Sequence, residues 1–219
     1  MVNQPTYDWK NAHDYIELLL PESVRQLQPE EKLPPDVPAG PSIGPDVAQL
    51  VAVLILTQRP RRVLEIGTSA GYSALVMGTA LAKVGGRLVT IEIEPRLAEA
   101  ARRNLQEAGL ADVVEVVVDD ANRVLEDLPG PFGLILQDGG KDDYLRMLPR
   151  LVELLEPHGM LITDDVLFPV MDLPPDARRY QYALSLYNEA LQARPELQTV
   201  WLPIGDGVAL SARIPAAPA

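Results

Sequence analysis

Val63-Leu64-Glu65-Ile66-Gly67-Thr68-Ser69-Ala70-Gly71-Tyr72-Ser73 is the stretch from which the fold can be read. A short, mostly apolar run stops at a glycine, turns through small residues and enters a helical pattern over residues 72–83. The run is too short for a helix, so the pattern is strand, tight turn and helix N-terminus. Open α/β sheets hold nucleotide-like ligands at such a turn.

Four readings of the turn compete. A dinucleotide fold wants Gly-x-Gly-x-x-Gly so that the backbone can approach a pyrophosphate, and only Gly67 and Gly71 are present. Gly67-Thr68-Ser69-Ala70-Gly71 also fits a Gly-x-Ser-x-Gly nucleophile elbow. That motif needs a histidine base and several preceding strands, whereas the chain offers His13 and His158 and begins its core strands at Val63. The third reading is an adenosine-type cofactor without phosphates, with Glu65 and Gly67 in the acid-x-Gly-x-x-x-Gly spacing of S-adenosylmethionine sites. The fourth is a turn that binds nothing.

At 219 residues the chain has room for one α/β domain and a short appendage. Its formal charge of −12 opposes the phosphate neutralisation on which nucleic-acid binders rely, and opposes an anionic membrane surface. A small-molecule partner is favoured. With no cysteine there is neither a disulfide framework nor a thiolate metal site. Met1-Val2-Asn3-Gln4-Pro5 lacks the regions of a signal peptide, and the apolar run over residues 50–56 is too short for a bilayer. The expectation is a cytoplasmic protein.

Residues 1–45 read as an arm. Tyr15, Ile16, Leu18 and Leu19 lie among polar residues in 7–27, suggesting short amphipathic helices broken near Pro21. Pro29, Pro34, Pro35, Pro38, Pro41 and Pro45 then exclude regular structure. This segment is an ordered linker or frayed end, or else a lid over the cofactor or a dimer arm.

Residues 46–219 read as the Rossmann-like domain, opened by a mostly buried helix at 46–58. Strand-like runs at 63–66, 88–93, 113–118, 132–137 and 160–163 alternate with helical patterns at 72–83, 95–108, 122–128 and 143–155. Such alternation implies a parallel sheet with helices on both faces. After a helix at 175–193, runs at 199–204 and 208–213 flank Gly205-Asp206-Gly207, a hairpin signal that makes the last pair antiparallel.

The acids fall at strand ends: Glu92-Ile93-Glu94, Asp119-Asp120, Asp138 and Asp164-Asp165. In a parallel sheet these ends share the ligand-holding rim. Glu92 stands at the interval where an acid accepts from ribose hydroxyls, its alternative being an ordinary strand-end acid. Asp120-Ala121 follows strand three beside the expected adenine position, and Asp120 serves the adenine amine, the following helix as a cap, or both. A rim this acidic repels phosphates and suits a sulfonium cation and a metal ion, which favours S-adenosylmethionine over NAD. Asp138, Asp164 and Asp165 read as an all-oxygen set for Mg²⁺, Mn²⁺ or Ca²⁺, or Asp164-Asp165 merely as a turn and cap. Lys141 reads as a solvated lysine paired with Asp142 or Asp143, or as an amine beside a dication whose charged form is disfavoured, making it a general base.

The motifs VLEIGTSAGYSAL, VTIEIEPRLAEAARRN, Asp138 to Lys141, LITDDVLF and LPIGDGVAL, in that order, resemble those of the cation-dependent O-methyltransferases. That group includes catechol and caffeoyl-CoA O-methyltransferases and small bacterial enzymes. The resemblance covers residues 43–213 and implies a seven-stranded sheet with an antiparallel last strand, and a homodimer in many members. It implies that Glu65, Gly67, Thr68 and Ser73 meet the methionine and ribose parts of S-adenosylmethionine, Glu92 the ribose hydroxyls, and Asp120 with Ala121 the adenine. Ile43 matches a position whose backbone touches the cofactor. Asp138, Asp164 and Asp165 match the metal ligands and Lys141 the lysine base.

Two positions depart from the family pattern. Asp165 stands where Asn is usual, and Asp138-Gly139-Gly140-Lys141 stands for the usual Asp-Ala-Asp-Lys. The first adds a negative charge near the metal, and the second loosens the loop and removes an acid. The expected activity is metal-dependent methyl transfer to a vicinal-diol aromatic. A transfer-RNA hydroxyuridine methyltransferase, a non-catalytic cofactor-binding module and a nicotinamide oxidoreductase are the alternatives. Residues 166–187, with Phe168, Met171, Tyr180 and Tyr182, are expected to shape the acceptor pocket.

Overall fold

The computed structural model describes residues 15, 19–25, 27, 29, 33, 36, 37 and 42–215. Most of the expected arm over residues 1–45, its lid or dimer role included, therefore lies outside the described residues. The described part includes one helical turn, Glu22–Arg25, directly after Pro21. Further on, Asp36 makes a two-pronged contact with Arg96, at 3.0 and 3.1 Å.

Helix α1 (Pro45–Gln58) leads into β1 (Arg62–Ile66), α2 (Tyr72–Val84) and β2 (Arg87–Glu92). Next come α3 (Pro95–Glu107), β3 (Val114–Val118), α4 (Ala121–Asp127) and β4 (Phe132–Gln137). After α5 (Tyr144–Leu154) and β5 (Leu155–Thr163), α6 (Arg179–Gln192) precedes the hairpin β6 (Leu197–Leu202) and β7 (Val208–Arg213). One seven-stranded sheet results, in the order β3-β2-β1-β4-β5-β7-β6. Strands β1 to β5 pair in parallel, and β7 runs antiparallel to both β5 and β6. The expected α/β architecture is the observed one.

Both sheet faces are covered, so the strands need apolar residues on both sides. Val63, Leu88, Leu134, Leu136 and Ile162 pack with α1, α2 and α3 through residues such as Val51, Ile55, Leu81 and Leu105. Leu64, Ile66, Ile91, Ile135 and Leu161 pack on the other face with Leu125 of α4, Leu148 and Leu151 of α5, and Leu184 and Leu191 of α6. A fully buried Leu64 or Leu134 contributes about 1.5–3 kcal/mol by leaving water. Among the described residues no helix is long and apolar enough to cross a membrane.

The register fixes the rim. Ile66 is level with Ile91 and Gln137, Gln137 with Thr163, and Glu92 with Val118. The ladder then runs one residue further, through Gly67 N–H to Ile91 O, Asp138 N–H to Ile66 O, Asp119 N–H to Glu92 O and Asp164 N–H to Gln137 O. The expected acids therefore do share one edge. β1 and β4 are neighbours although the chain winds outward from β1 to β3 before returning, which makes their junction the switch point where doubly wound sheets bind ligands.

The two largest departures from the expected boundaries are the starts of β5 and α6. β5 starts at Leu155 rather than residue 160, because Leu155 pairs with Phe132 ahead of a register shift, so that Pro157-His158-Gly159 lies inside the strand. α6 starts at Arg179 rather than residue 175, because Ala177 N–H bonds Pro174 O and Tyr180 N–H bonds Ala177 O, forming turns first.

Candidate active site

At the switch point Gly67 has φ +93°, and a Cβ there would lie 2.5 Å from the carbonyl oxygen of Asp138. Glycine is required on both counts. Gly71, with φ +96°, forms the N-cap of α2 and lies against Ala101 of α3. The buried Asn104 amide donates to Ala70 O at 2.9 Å, so α3 clamps the turn from outside.

Glu92 closes the turn from below. Its Oε2 accepts from the backbone N–H groups of Thr68 at 3.1 Å and Ser69 at 2.8 Å, and its Oε1 from Glu94 N–H at 2.9 Å. The buried Thr68 hydroxyl meets that of Thr90, which donates to Glu65 Oε2 at 2.6 Å. Glu65 is fully buried, and burial lifts its pKa to about 8, the nearby Ser73 and Thr90 hydroxyls offsetting part of the rise. Ser73 is buried in the first turn of α2.

On the β4–β5 side, Lys141 follows Asp138 in a 3₁₀ turn, Lys141–Asp143. Its ammonium lies 2.8 Å from Asp138 Oδ1 and 2.5 Å from Asp165 Oδ2, and the three side chains are 13%, 15% and 14% exposed. It also donates to the Tyr144 hydroxyl at 3.1 Å. Asp165 has φ +65°, a left-handed conformation that aspartate tolerates better than most residues. Burial, then repulsion from Asp138 and Asp165, lifts the Asp164 pKa to about 8. Burial likewise raises that of Asp138, against the pull of Lys141.

The reading of Lys141 as a neutral amine presupposes a dication beside it. Burial alone depresses the Lys141 pKa, but Tyr144, Asp138 and Asp165 together carry it well above its ordinary value. Lys141 is here the ammonium that neutralises the acids. The expected partners Asp142 and Asp143 instead pair with Arg179 and Arg146. Among the described residues no group of three or more acidic, histidine or cysteine side chains is drawn up to hold a metal ion, and Lys141 stands between two of the three expected ligands.

The structure thus brings Glu65, Gly67, Thr68, Ser73 and Glu92 to one half of the rim and Asp138, Lys141, Asp164 and Asp165 to the other. Gly67 and Asp138 join the halves. Asp120 caps α4, its Oδ1 accepting from Asn122 N–H at 2.8 Å, a bond that lowers its pKa, and Ala121 opens that helix. Ile43 is buried in the core just ahead of α1. Sequence reasoning did not single out Thr90, Asn104, Gln137 or Tyr144. Only Gln137, a polar residue closing an apolar strand, carries a local signal.

Among the described residues, three buried side-chain oxygens have no hydrogen-bond partner: Glu65 Oε1, Ser69 Oγ and Asp164 Oδ1. Folded proteins satisfy nearly all such atoms. These three belong to the end of β1, the glycine turn and the end of β5, all on the rim.

The O-methyltransferase family model matches residues 24–214. The chain is 32% identical over 182 residues to caffeoyl-CoA O-methyltransferase 1 of Eucalyptus globulus, covering 77% of this chain and 73% of that one. It is 31% identical over 182 residues to catechol O-methyltransferase of Niastella koreensis, with 78% and 81% covered. The O-methyltransferase TomG of Streptomyces achromogenes, solved with S-adenosylmethionine, superimposes with a TM-score of 0.75 at 28% identity, covering 92% of this chain and 95% of that one. The glycine turn, the acidic rim and these likenesses converge: the chain belongs to the O-methyltransferase family and is an S-adenosylmethionine-dependent methyltransferase.

Proposed function

We propose that the protein methylates one hydroxyl of a small aromatic vicinal diol and requires a divalent cation, Mg²⁺ being the first choice and Mn²⁺ or Ca²⁺ the others. The observation that carries this reading is the set of unpartnered oxygens of Glu65, Ser69 and Asp164 on the ligand-binding edge. Each lacks a partner that a bound molecule supplies.

The turn half suits the cofactor. Glu65 is a buried carboxyl for the cationic methionine part, Gly67, Thr68 and Ser73 give the backbone and hydroxyl approach, and Glu92 fixes the turn while retaining acceptor capacity for ribose. By resemblance Asp120 and Ala121 fall to the adenine side, and the Ile43 backbone touches the cofactor.

The acid half suits a hard cation by donor chemistry. Asp138, Asp164 and Asp165 offer only carboxylate oxygens, one of them unpartnered, in surroundings that raise the pKa of Asp138 and Asp164. These three would hold the ion. A bound ion would supply the positive charge that favours the ionised diol and would disfavour the charged form of Lys141, whose ammonium would give one proton to solvent. The neutral amine at Nζ would then take the acceptor's proton. The remaining demand is alignment of the hydroxyl oxygen with the methyl group, which a preformed rim satisfies. The charge of −12 supports a small acceptor over transfer RNA.

Incubating the protein with S-adenosylmethionine, a catechol and Mg²⁺ should give a mono-methylated product, and excess chelator should abolish turnover. Undiminished product in chelator overturns the metal requirement. Cofactor binding by calorimetry without turnover on any diol would identify a non-catalytic module instead.

A further inference from the structure

An ammonium has three N–H donors, and the structure gives each of Lys141's an acceptor: Asp138, Asp165 and Tyr144. The first two are carboxylates that the proposed reading assigns to a cation. The third is not. Tyr144 can accept because its own proton is committed, the hydroxyl donating to the main-chain oxygen of Gln137 at 3.1 Å.

The ring that carries this hydroxyl is fully buried and set edge-on to Tyr187, with centroids 5.5 Å apart and planes at 67°. The Gln137 side-chain amide donates to the main-chain oxygen of Tyr144 at 3.3 Å, and Gln137 Oε1 accepts from the Tyr187 hydroxyl at 3.0 Å. The Tyr187 hydroxyl also meets that of Thr163 at 2.7 Å. Gln137 and Thr163 immediately precede Asp138 and Asp164. Tyr144 is therefore held in register with both strand ends, and its bond to Lys141 does not depend on the carboxylates being free.

We propose that Tyr144 is a positioning residue that keeps Lys141 at the reacting edge once Asp138 and Asp165 are engaged by a cation. It rests on the proposed metal-dependent methyl transfer at this edge. Without the Tyr144 hydroxyl, Lys141 Nζ loses the one of these three contacts that is not also a proposed cation ligand, so the cation-bound state forms less readily and loses its aligned lysine.

Tyr144→Phe keeps the ring and removes the hydroxyl. Tyr187→Phe is the comparison, since it removes a hydroxyl from the same buried network that is committed to Gln137 and Thr163. Two quantities are measured: Mg²⁺ affinity by calorimetry without cofactor or acceptor, and steady-state kinetics with S-adenosylmethionine, a catechol and saturating Mg²⁺. For Tyr144→Phe, Mg²⁺ should bind about tenfold more weakly and kcat should fall about tenfold, the size of a lost hydrogen bond to a charged group, with the cofactor KM unchanged. Tyr187→Phe should lower the melting temperature and move both quantities far less, because the Tyr144 hydroxyl keeps its own bonds to Lys141 and to Gln137 O. The proposal is overturned if Tyr144→Phe alters Mg²⁺ affinity and kcat no more than Tyr187→Phe does. If wild-type protein binds Mg²⁺ but transfers no methyl group, the parent reading fails and the calorimetric comparison alone decides for or against Tyr144. A wild-type protein that does neither overturns both.

Discussion

The two halves of the rim satisfy their carboxylates by opposite means. At the glycine turn, Glu92 accepts three backbone N–H groups from its own neighbourhood. Those neutral-to-charged bonds fix the turn without a ligand, although Glu65 Oε1 and Ser69 Oγ beside it keep no partner. At the β4–β5 end, Asp138 and Asp165 share one ammonium from Lys141, and the adjacent Asp164 keeps an unpartnered oxygen. That half is short of positive charge. Under the proposed function, the difference is that between a preformed seat for the cofactor and a cluster that a cation would complete.

Gly67→Ala strikes the junction and should have the largest effect. Its φ of +93° is strained for any side chain, and the new Cβ would lie 2.5 Å from a backbone oxygen that cannot swing aside. Strain and overpacking together should cost about 5 kcal/mol, and thermal unfolding should show the loss along with cofactor binding. A variant with wild-type melting temperature would mean that the halves are not rigidly joined.

Lys141→Met tests the charge-deficient half alone. Removing one partner of a largely buried ion pair typically costs 3–5 kcal/mol, and the residual exposure of this trio argues for about 3, or about 10 °C in melting temperature. Saturating Mg²⁺ should restore more stability to the variant than to wild type, because the ion no longer competes with the ammonium. Equal stabilisation of both proteins would contradict the account of Lys141 as the resident counter-ion.

How much of this was legible depended on how local the cause was. Gly67 and Gly71 announced the turn because its backbone needs positive φ, and the acids announced the rim because strand ends in a parallel sheet align. The state of Lys141 was not legible. It depends on Asp165 arriving from the next strand and on burial that reverses the pull of neither carboxylate. The support behind Tyr144 was hidden for the same reason, since Gln137 and Tyr187 are 50 positions apart and meet only once α6 packs on the sheet. Asp120 was read as acceptor, cap or both, and its bonds to Asn122 establish the cap.

The smallest expected effect separates the halves by pH. Glu65 has its pKa raised from 4.5 to about 8, chiefly by burial. Between those values the folded protein holds a proton that the unfolded chain has lost, so stability falls as pH rises through the window and the full penalty is present above about 8. The slope is at most about 1.4 kcal/mol per pH unit. From pH 6 to 8, wild type should lose roughly 2 kcal/mol, or about 5 °C, relative to Glu65→Gln, whose amide does not titrate. Asp164, also raised to about 8, contributes in the same direction in both proteins and cancels from the difference. Saturating S-adenosylmethionine should erase the Glu65 difference, because a cation beside the carboxylate holds it ionised, whereas Mg²⁺ should leave that difference intact and flatten only the shared part. If Mg²⁺ rather than the cofactor removes the Glu65 difference, the division of the rim into a cofactor half and a cation half is wrong.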